Sequence, residues 1–129
     1  MVQLPWNKPT TNKRQVGQDY EQLAKEYLSQ HGLVSLTENF TVKCGEVDLI
    51  MRDTSCIVFV EVRYRQNQNY GLAQETVTRS KATKLQKAAT LWLIKNGLSP
   101  YETEFRFDVV AIHRQGNDIN WIKNAITQG

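Results

Sequence analysis

The sequence predicts a single α/β domain with its elements in the order α, β, β, β, α, β, β. Three observations carry this reading. Apolar residues recur at helical spacing in two stretches, residues 17–31 and 78–96, β-rich runs fill most of the remainder, and polar turn residues separate the runs. At 129 residues the chain can bury roughly two thirds of its unfolded surface, so a core can form without disulfides or a structural metal.

Residues 1–16 are polar, contain two prolines and show no period, which predicts a flexible N-terminal arm ahead of a domain spanning 17–129. Helix one follows, with Tyr20, Leu23, Ala24, Tyr27, Leu28 and His31 on one stripe and His31-Gly32 as its stop. His31, at the end of that stripe, is expected to pack in the core. Residues 33–43 read as a strand interrupted near Glu38-Asn39. The run 45–51 alternates Glu46, Asp48 and Ile50 against Val47, Leu49 and Met51, and after a polar turn at 52–55 the run 56–64 is a second β segment; the two form a hairpin. Helix two covers 78–96, with Thr78 as N-cap, Gly97 as terminator and Ala82, Leu85, Ala88, Ala89, Trp92 and Leu93 as its apolar stripe. Two last strands, 104–113 and 118–123, are joined by a Gly116-Asn117 turn signal.

Composition narrows the function classes. No run of about 18 apolar residues exists and the first 20 positions hold no apolar signal region, so neither a membrane span nor a secretory signal is expected. Cys44 and Cys56 are expected as free thiols in a cytoplasmic protein. With His31 and His113 they lack zinc spacing. No glycine-rich phosphate loop is present, which argues against nucleotide hydrolysis. The net charge of +3 is local: Arg79, Lys81, Lys84, Lys87 and Lys95 fall in one acid-free stretch, and the rest carries 11 basic against 13 acidic residues. That is the pattern of a surface facing a polyanion, or equally of a solvated, lysine-rich helix face.

The segment from Gly45 to Arg65 holds the candidate chemistry. Glu61, Arg63 and Arg65 share one strand face. With the turn centred on Thr54-Ser55, antiparallel pairing sets Asp48 opposite Glu61 and Glu46 opposite Arg63, with Cβ atoms about 5 Å apart. Two facing carboxylates destabilise a hairpin unless a positive charge joins them. A hard divalent cation would supply that charge, and so would cross-strand ion pairs with Arg63 and Arg65. Glu21 lies about 20° beyond the edge of the helix-one stripe and can turn inward, whereas Asp19 and Glu26 fall outside it. On helix two, Lys81 falls inside the apolar arc, where it either meets the carboxylates or snorkels past the core, and Lys84 and Lys87 point away.

These pieces resemble a known family. Asp48, twelve intervening residues, then Glu61-Val62-Arg63 in an apolar strand is similar to the PD-(D/E)-x-K nuclease signature. The wider set comprises Glu21-x-x-Ala24-x-x-Tyr27-Leu28, Asn39, Gly45-Glu46-Val47-Asp48-Leu49-Ile50, Glu61-Val62-Arg63-x-Arg65, Tyr70-Gly71, Lys81, Phe107-Asp108-Val109-Val110 and Asn124-Ala125. It resembles the uncharacterised YraN-like family, itself similar to Holliday-junction resolvases and other restriction-endonuclease-like proteins. The resemblance implies a central mixed sheet of about five strands flanked by helices. It also implies a DNA partner, with branched DNA as one substrate, and a homodimer as one assembly. It further implies Mg²⁺ or Mn²⁺ held by Asp48, Glu61 and, through water, Glu21, with Arg63 as the fourth catalytic residue and Arg65, Arg79, Lys81, Lys84 and Lys87 seating the phosphate backbone. One position departs from the signature: Arg63 stands where it has Lys, which keeps the charge but is a poor proton shuttle. A binding protein that has lost catalysis is the alternative this substitution raises.

Overall fold

The computed structural model describes residues 13–65, 77–113 and 118–126. Among the described residues two helices and five strands follow the predicted order: α1 (Lys13–Gln30), β1 (Val34–Val42), β2 (Gly45–Asp53), β3 (Cys56–Arg65), α2 (Arg79–Lys95), β4 (Phe105–His113) and β5 (Asp118–Ile122). Helix α1 begins at Lys13, so the last four positions of the predicted arm are helical backbone; residues 1–12, residues 66–76 with the motif piece Tyr70-Gly71, and the predicted turn at Gly116-Asn117 lie outside the described residues.

The strands form one mixed sheet in the order β1-β2-β3-β4-β5, antiparallel except for the parallel pair β3–β4. A parallel pair requires a crossover, and α2 lies in that connection. The two helices cover opposite faces because neighbouring strand residues point to opposite sides. Tyr20, Ala24 and Leu28 of α1 pack with Leu49, Met51, Val58, Val60, Val110 and Ile112, while Leu85, Ala88, Ala89, Trp92 and Leu93 of α2 pack with Val47, Ile50, Ile57, Phe59 and Phe107. Helix α2 starts and stops as its sequence dictates. The Thr78 hydroxyl accepts the Lys81 N–H at 3.1 Å, and Gly97 takes the left-handed φ of 74° that ends the helix.

Strand β2 is not the regular alternation its sequence suggests. In an undistorted strand Val47, Leu49 and Met51 share a face, yet Val47 packs toward α2 with Ile50, and Leu49 and Met51 pack toward α1. The facing flips at Asp48. Across on β1, the pairs Glu38↔Leu49 and Phe40↔Val47 bracket Asn39, which has a left-handed φ of 53°. Two facing residues thus share one distortion, but β1 is not interrupted near Glu38-Asn39 as the sequence suggests: it runs unbroken, and its register shift lies between Ser35 and Thr37. The turn into β2 sits hard against α2: a Cβ on Gly45 would meet the Lys84 carbonyl oxygen at 2.9 Å, so only glycine fits without movement.

Two sequence expectations change, and one open role is filled. Asp19 is half-buried rather than solvated. His31 is exposed: its Nδ1–H donates to the Tyr27 carbonyl at 2.8 Å and its ring stands edge-on to Trp121, whose own face is covered by the Lys123 ammonium at 4.6 Å. Asp108, whose role the sequence leaves open, is a structural hub. Fully buried, it accepts Arg106 Nε at 3.0 Å, the Trp121 indole N–H at 2.9 Å and the Asn124 N–H at 2.9 Å, while Arg106 reaches on to Asp53 at 3.1 Å. One carboxylate therefore ties β4 to β5 and the chain beyond it, and through Arg106 to the end of β2. Removing it leaves an indole N–H and a backbone N–H without their acceptor and the half-buried Arg106 guanidinium with Asp53 alone. Asp108→Ala is expected to cost about 3–5 kcal/mol in urea-unfolding stability, and an unchanged midpoint would exclude this bracing role.

Candidate active site

The β2–β3 ladder runs in the predicted register from Asp53↔Cys56 to Leu49↔Val60 and then stops. Asp48 is the next residue, and its side chain takes over where the backbone ladder ends: Oδ2 accepts the Val62 N–H at 2.8 Å. The predicted facing of Asp48 and Glu61 therefore exists as a side-chain arrangement at the open end of the hairpin. The Glu46–Arg63 pairing does not form in the ladder; Glu46 is exposed and pairs with Thr41 on β1.

Asp48 is the charge that both other acids feel. Glu61, 7% exposed, has its carboxyl pushed up to about 7, chiefly by burial and then by the Asp48 charge, against the opposing pull of Lys81 and Arg63. Glu21 is likewise pushed up to about 7 by burial, by Asp48 and, less, by Glu46, while a hydrogen bond with Asn39 pulls it back. Asn39 thus has a second role besides the strand distortion. In the sequence it stands out as a motif piece and near the expected strand interruption, with nothing to indicate that it touches Glu21. Lys81 settles the choice left open by its helical position: Nζ lies 3.5 Å from Glu61 Oε2, so it reaches the carboxylates across the cleft between α2 and β3. Arg63, half-buried on the same strand face as Glu61, adds its charge to that carboxyl.

The basic residues divide. Lys81 belongs to the acid cluster, and Arg79, Lys84 and Lys87 are exposed on α2. Arg65 lies in β3, in register with His113, and its side chain is outside the described residues. The four zinc candidates are dispersed, with Cys44 in the β1–β2 turn, Cys56 opening β3, and His31 and His113 at the ends of α1 and β4.

The donor set suits a hard divalent cation. It is all oxygen, it is short of positive charge when the acids are ionised, and Glu21 Oε1 is buried without a hydrogen-bond partner. Among the described residues no three Asp, Glu, His or Cys side chains converge as a ready-made cage. The carboxylates are instead disposed around Asp48, in the manner of a site that uses one or two protein acids and leaves the remaining positions to water and phosphate. Raised carboxyl pKa values also fix a pH dependence. Below about 4.5 Glu61 is neutral in both folded and unfolded chains; between about 4.5 and about 7 the unfolded chain ionises first, so folding stability falls as pH rises, by on the order of 3 kcal/mol, and stays low above that window. Glu61→Gln is therefore expected to be more stable than the parent at pH 8 and to lose that advantage by pH 4, read from urea midpoints at both values. An advantage that does not change with pH would show that Glu61 titrates normally.

No helix among the described residues is long and apolar enough to cross a membrane. The sequence profile of the uncharacterised protein family UPF0102 matches residues 20–112, a span that runs from the helix carrying Glu21 to the end of β4. A UPF0102 protein of Aliivibrio salmonicida is 61% identical over 118 residues, covering 92% of this chain and 96% of its own length. UPF0102 proteins of Vibrio vulnificus and Vibrio cholerae are 57% and 52% identical over the same length, each covering 92% of this chain and 97% of their own. A profile match across most of the domain and relatives this similar end to end assign the chain to the uncharacterised protein family UPF0102, the YraN-like group whose motif pieces its sequence carries.

Proposed function

We propose that this chain is a divalent-metal-dependent nuclease that hydrolyses a phosphodiester bond in DNA, with branched DNA among its substrates. The observation that carries the reading is the group of three inward acids, Glu21, Asp48 and Glu61, meeting the cations Lys81 and Arg63 at the open end of a hairpin. Such a group has no evident structural purpose, since burying like charges together costs stability that a saturated acid such as Asp108 does not. Asp48 and Glu61 would hold Mg²⁺ or Mn²⁺, with the Val62 carbonyl and, through water, Glu21 assisting. A bound cation supplies two things: a lowered pKa for the attacking water and relief of charge on the phosphate.

The chain's own residues supply the rest. Lys81 holds the Glu61 carboxylate from the α2 side and limits its rotation. Arg63 donates to the phosphate, stabilising the charge that grows on its oxygens as the bond to the leaving group breaks. Glu21, with its unpartnered Oε1, is the acid placed to accept the proton released by the attacking water. The same identity of Arg63 favours a second reading, a DNA-binding protein that no longer cuts, because a guanidinium grips phosphate well but exchanges protons poorly.

A labelled panel of single strand, duplex, flap and four-way junction, incubated with Mg²⁺ or Mn²⁺, separates the two readings. The nuclease reading expects cleavage that falls at least about 100-fold in Asp48→Ala and in Glu61→Ala, together with loss of Mg²⁺ binding by calorimetry. Unchanged metal affinity in both variants removes them as ligands. A parent protein that binds DNA without cutting, and an Arg63→Lys variant that cuts, would establish the binding reading and identify Arg63 as its cause.

A further inference from the structure

We propose that the groove between the β1–β2 turn and the first turns of α2 holds one single strand of DNA by its phosphates and delivers it to Glu61. The inference rests on the nuclease reading and names the path its substrate takes.

Gly45 makes the groove possible. Because it packs against the Lys84 backbone, the turn lies directly against the helix. Beside this contact is a cavity of about 350 Å³ lined by Lys43, Lys81 and Lys84, with Thr41 supplying a hydroxyl and Glu46 the lone acid. Lys81 is also the residue 3.5 Å from Glu61, so one side chain is shared by this cavity and the acid cluster. A second cavity of about 480 Å³ is lined by Thr83, Gln86, Lys87, Thr90 and Leu91, the two threonine hydroxyls donating to the Arg79 and Gln86 carbonyls, and Cys44 borders both cavities. Four lysines against one acid among the described lining residues, with the Thr41 hydroxyl beside them, match a chain of regularly spaced monoanions.

The dimensions choose among polyanions. Both cavities fall within the size of pockets for small ligands, about 300–1,000 Å³, which matches one nucleotide unit each. Among the described lining residues there is no aromatic side chain, so bases are not stacked here and the grip is on sugar and phosphate, independent of sequence. A strand held this way runs past the Gly45–Lys84 contact toward Glu61, which fits substrates that present a free or frayed strand.

Cys44 is a built-in reporter. It is a free, half-buried thiol at the border of both cavities, whereas Cys56 is buried, with a thiol pKa pushed up by that burial, and reacts slowly. In the full chain, without divalent cation so that DNA stays intact, a single-stranded 20-mer at saturation is expected to slow iodoacetamide labelling of Cys44 at least tenfold and leave Cys56 unaffected, with a blunt duplex protecting far less. In the double variant Lys43→Gln/Lys84→Gln, both exposed positions, protection is expected to disappear. The slope of log affinity against log salt should flatten by about 1.4, the value for two phosphate contacts on a single strand. Strand binding, measured by anisotropy, that leaves Cys44 labelling unchanged would overturn the groove while leaving the nuclease reading intact; so would equal protection by duplex, or protection that survives the double variant. Absence of binding to any DNA overturns both.

Discussion

The hydrogen bond from the Val62 N–H to Asp48 Oδ2 is the interaction on which the rest of the site depends. A backbone donor near the end of a ladder must find an acceptor, and here a side chain provides it. That single substitution stops β2 and β3 from pairing further, fixes Asp48 at the mouth of the hairpin, and brings its charge against Glu61 on one side and Glu21 on the other. The flip in facing between Val47 and Leu49, and the left-handed Asn39 across from it, are the local distortions that accompany it. Strand irregularities of this kind re-aim side chains, and they recur beside functional sites for that reason.

The two aspartates of this fold show how environment assigns role. Asp108 is entirely buried and every direction around it is filled by a donor, so its charge is neutralised by the protein itself and it acts as a brace. Asp48 accepts one backbone N–H and otherwise faces two carboxyls that it drives toward the neutral form. The fold leaves a deficit of positive charge at that point, only partly offset by Lys81 and Arg63. A deficit built into an otherwise well-satisfied domain is what a site for a cation and a phosphate requires.

Helix α2 links the two halves of the protein's chemistry. Its buried stripe completes one face of the sheet, Lys81 at its start reaches the acids, and the residues beyond present Lys84 and Lys87 to solvent. Because the helix is also the crossover between β3 and β4, its position relative to Glu61 is set by the core rather than by a loop. The close approach of Gly45 extends that rigidity to the β1–β2 turn. Site and basic surface are therefore held by the same packed elements.

Much of this was legible in the residues alone. Element order, the Thr54-Ser55 hairpin register, the cap and stripe of α2, and the inward turn of Glu21 follow from periods of two and 3.6 residues and from capping chemistry, which act locally. Where the reading failed, a long-range contact decided. His31 was expected in the core because its helical angle fits the stripe, but α1 ends at Gln30 and the chain turns at Gly32, leaving the ring exposed. Regular alternation misassigned Val47, because the distortion at Asp48 arises only when Asn39 lies across from it. The meaning of Asp108 required Arg106, Trp121 and Asn124 to be gathered round it. The sequence by itself determined which acids and lysines could share a side of the fold; which of them are satisfied, and which are left facing one another, was decided by the tertiary structure, since charge balance depends on distances that no spacing along the chain encodes.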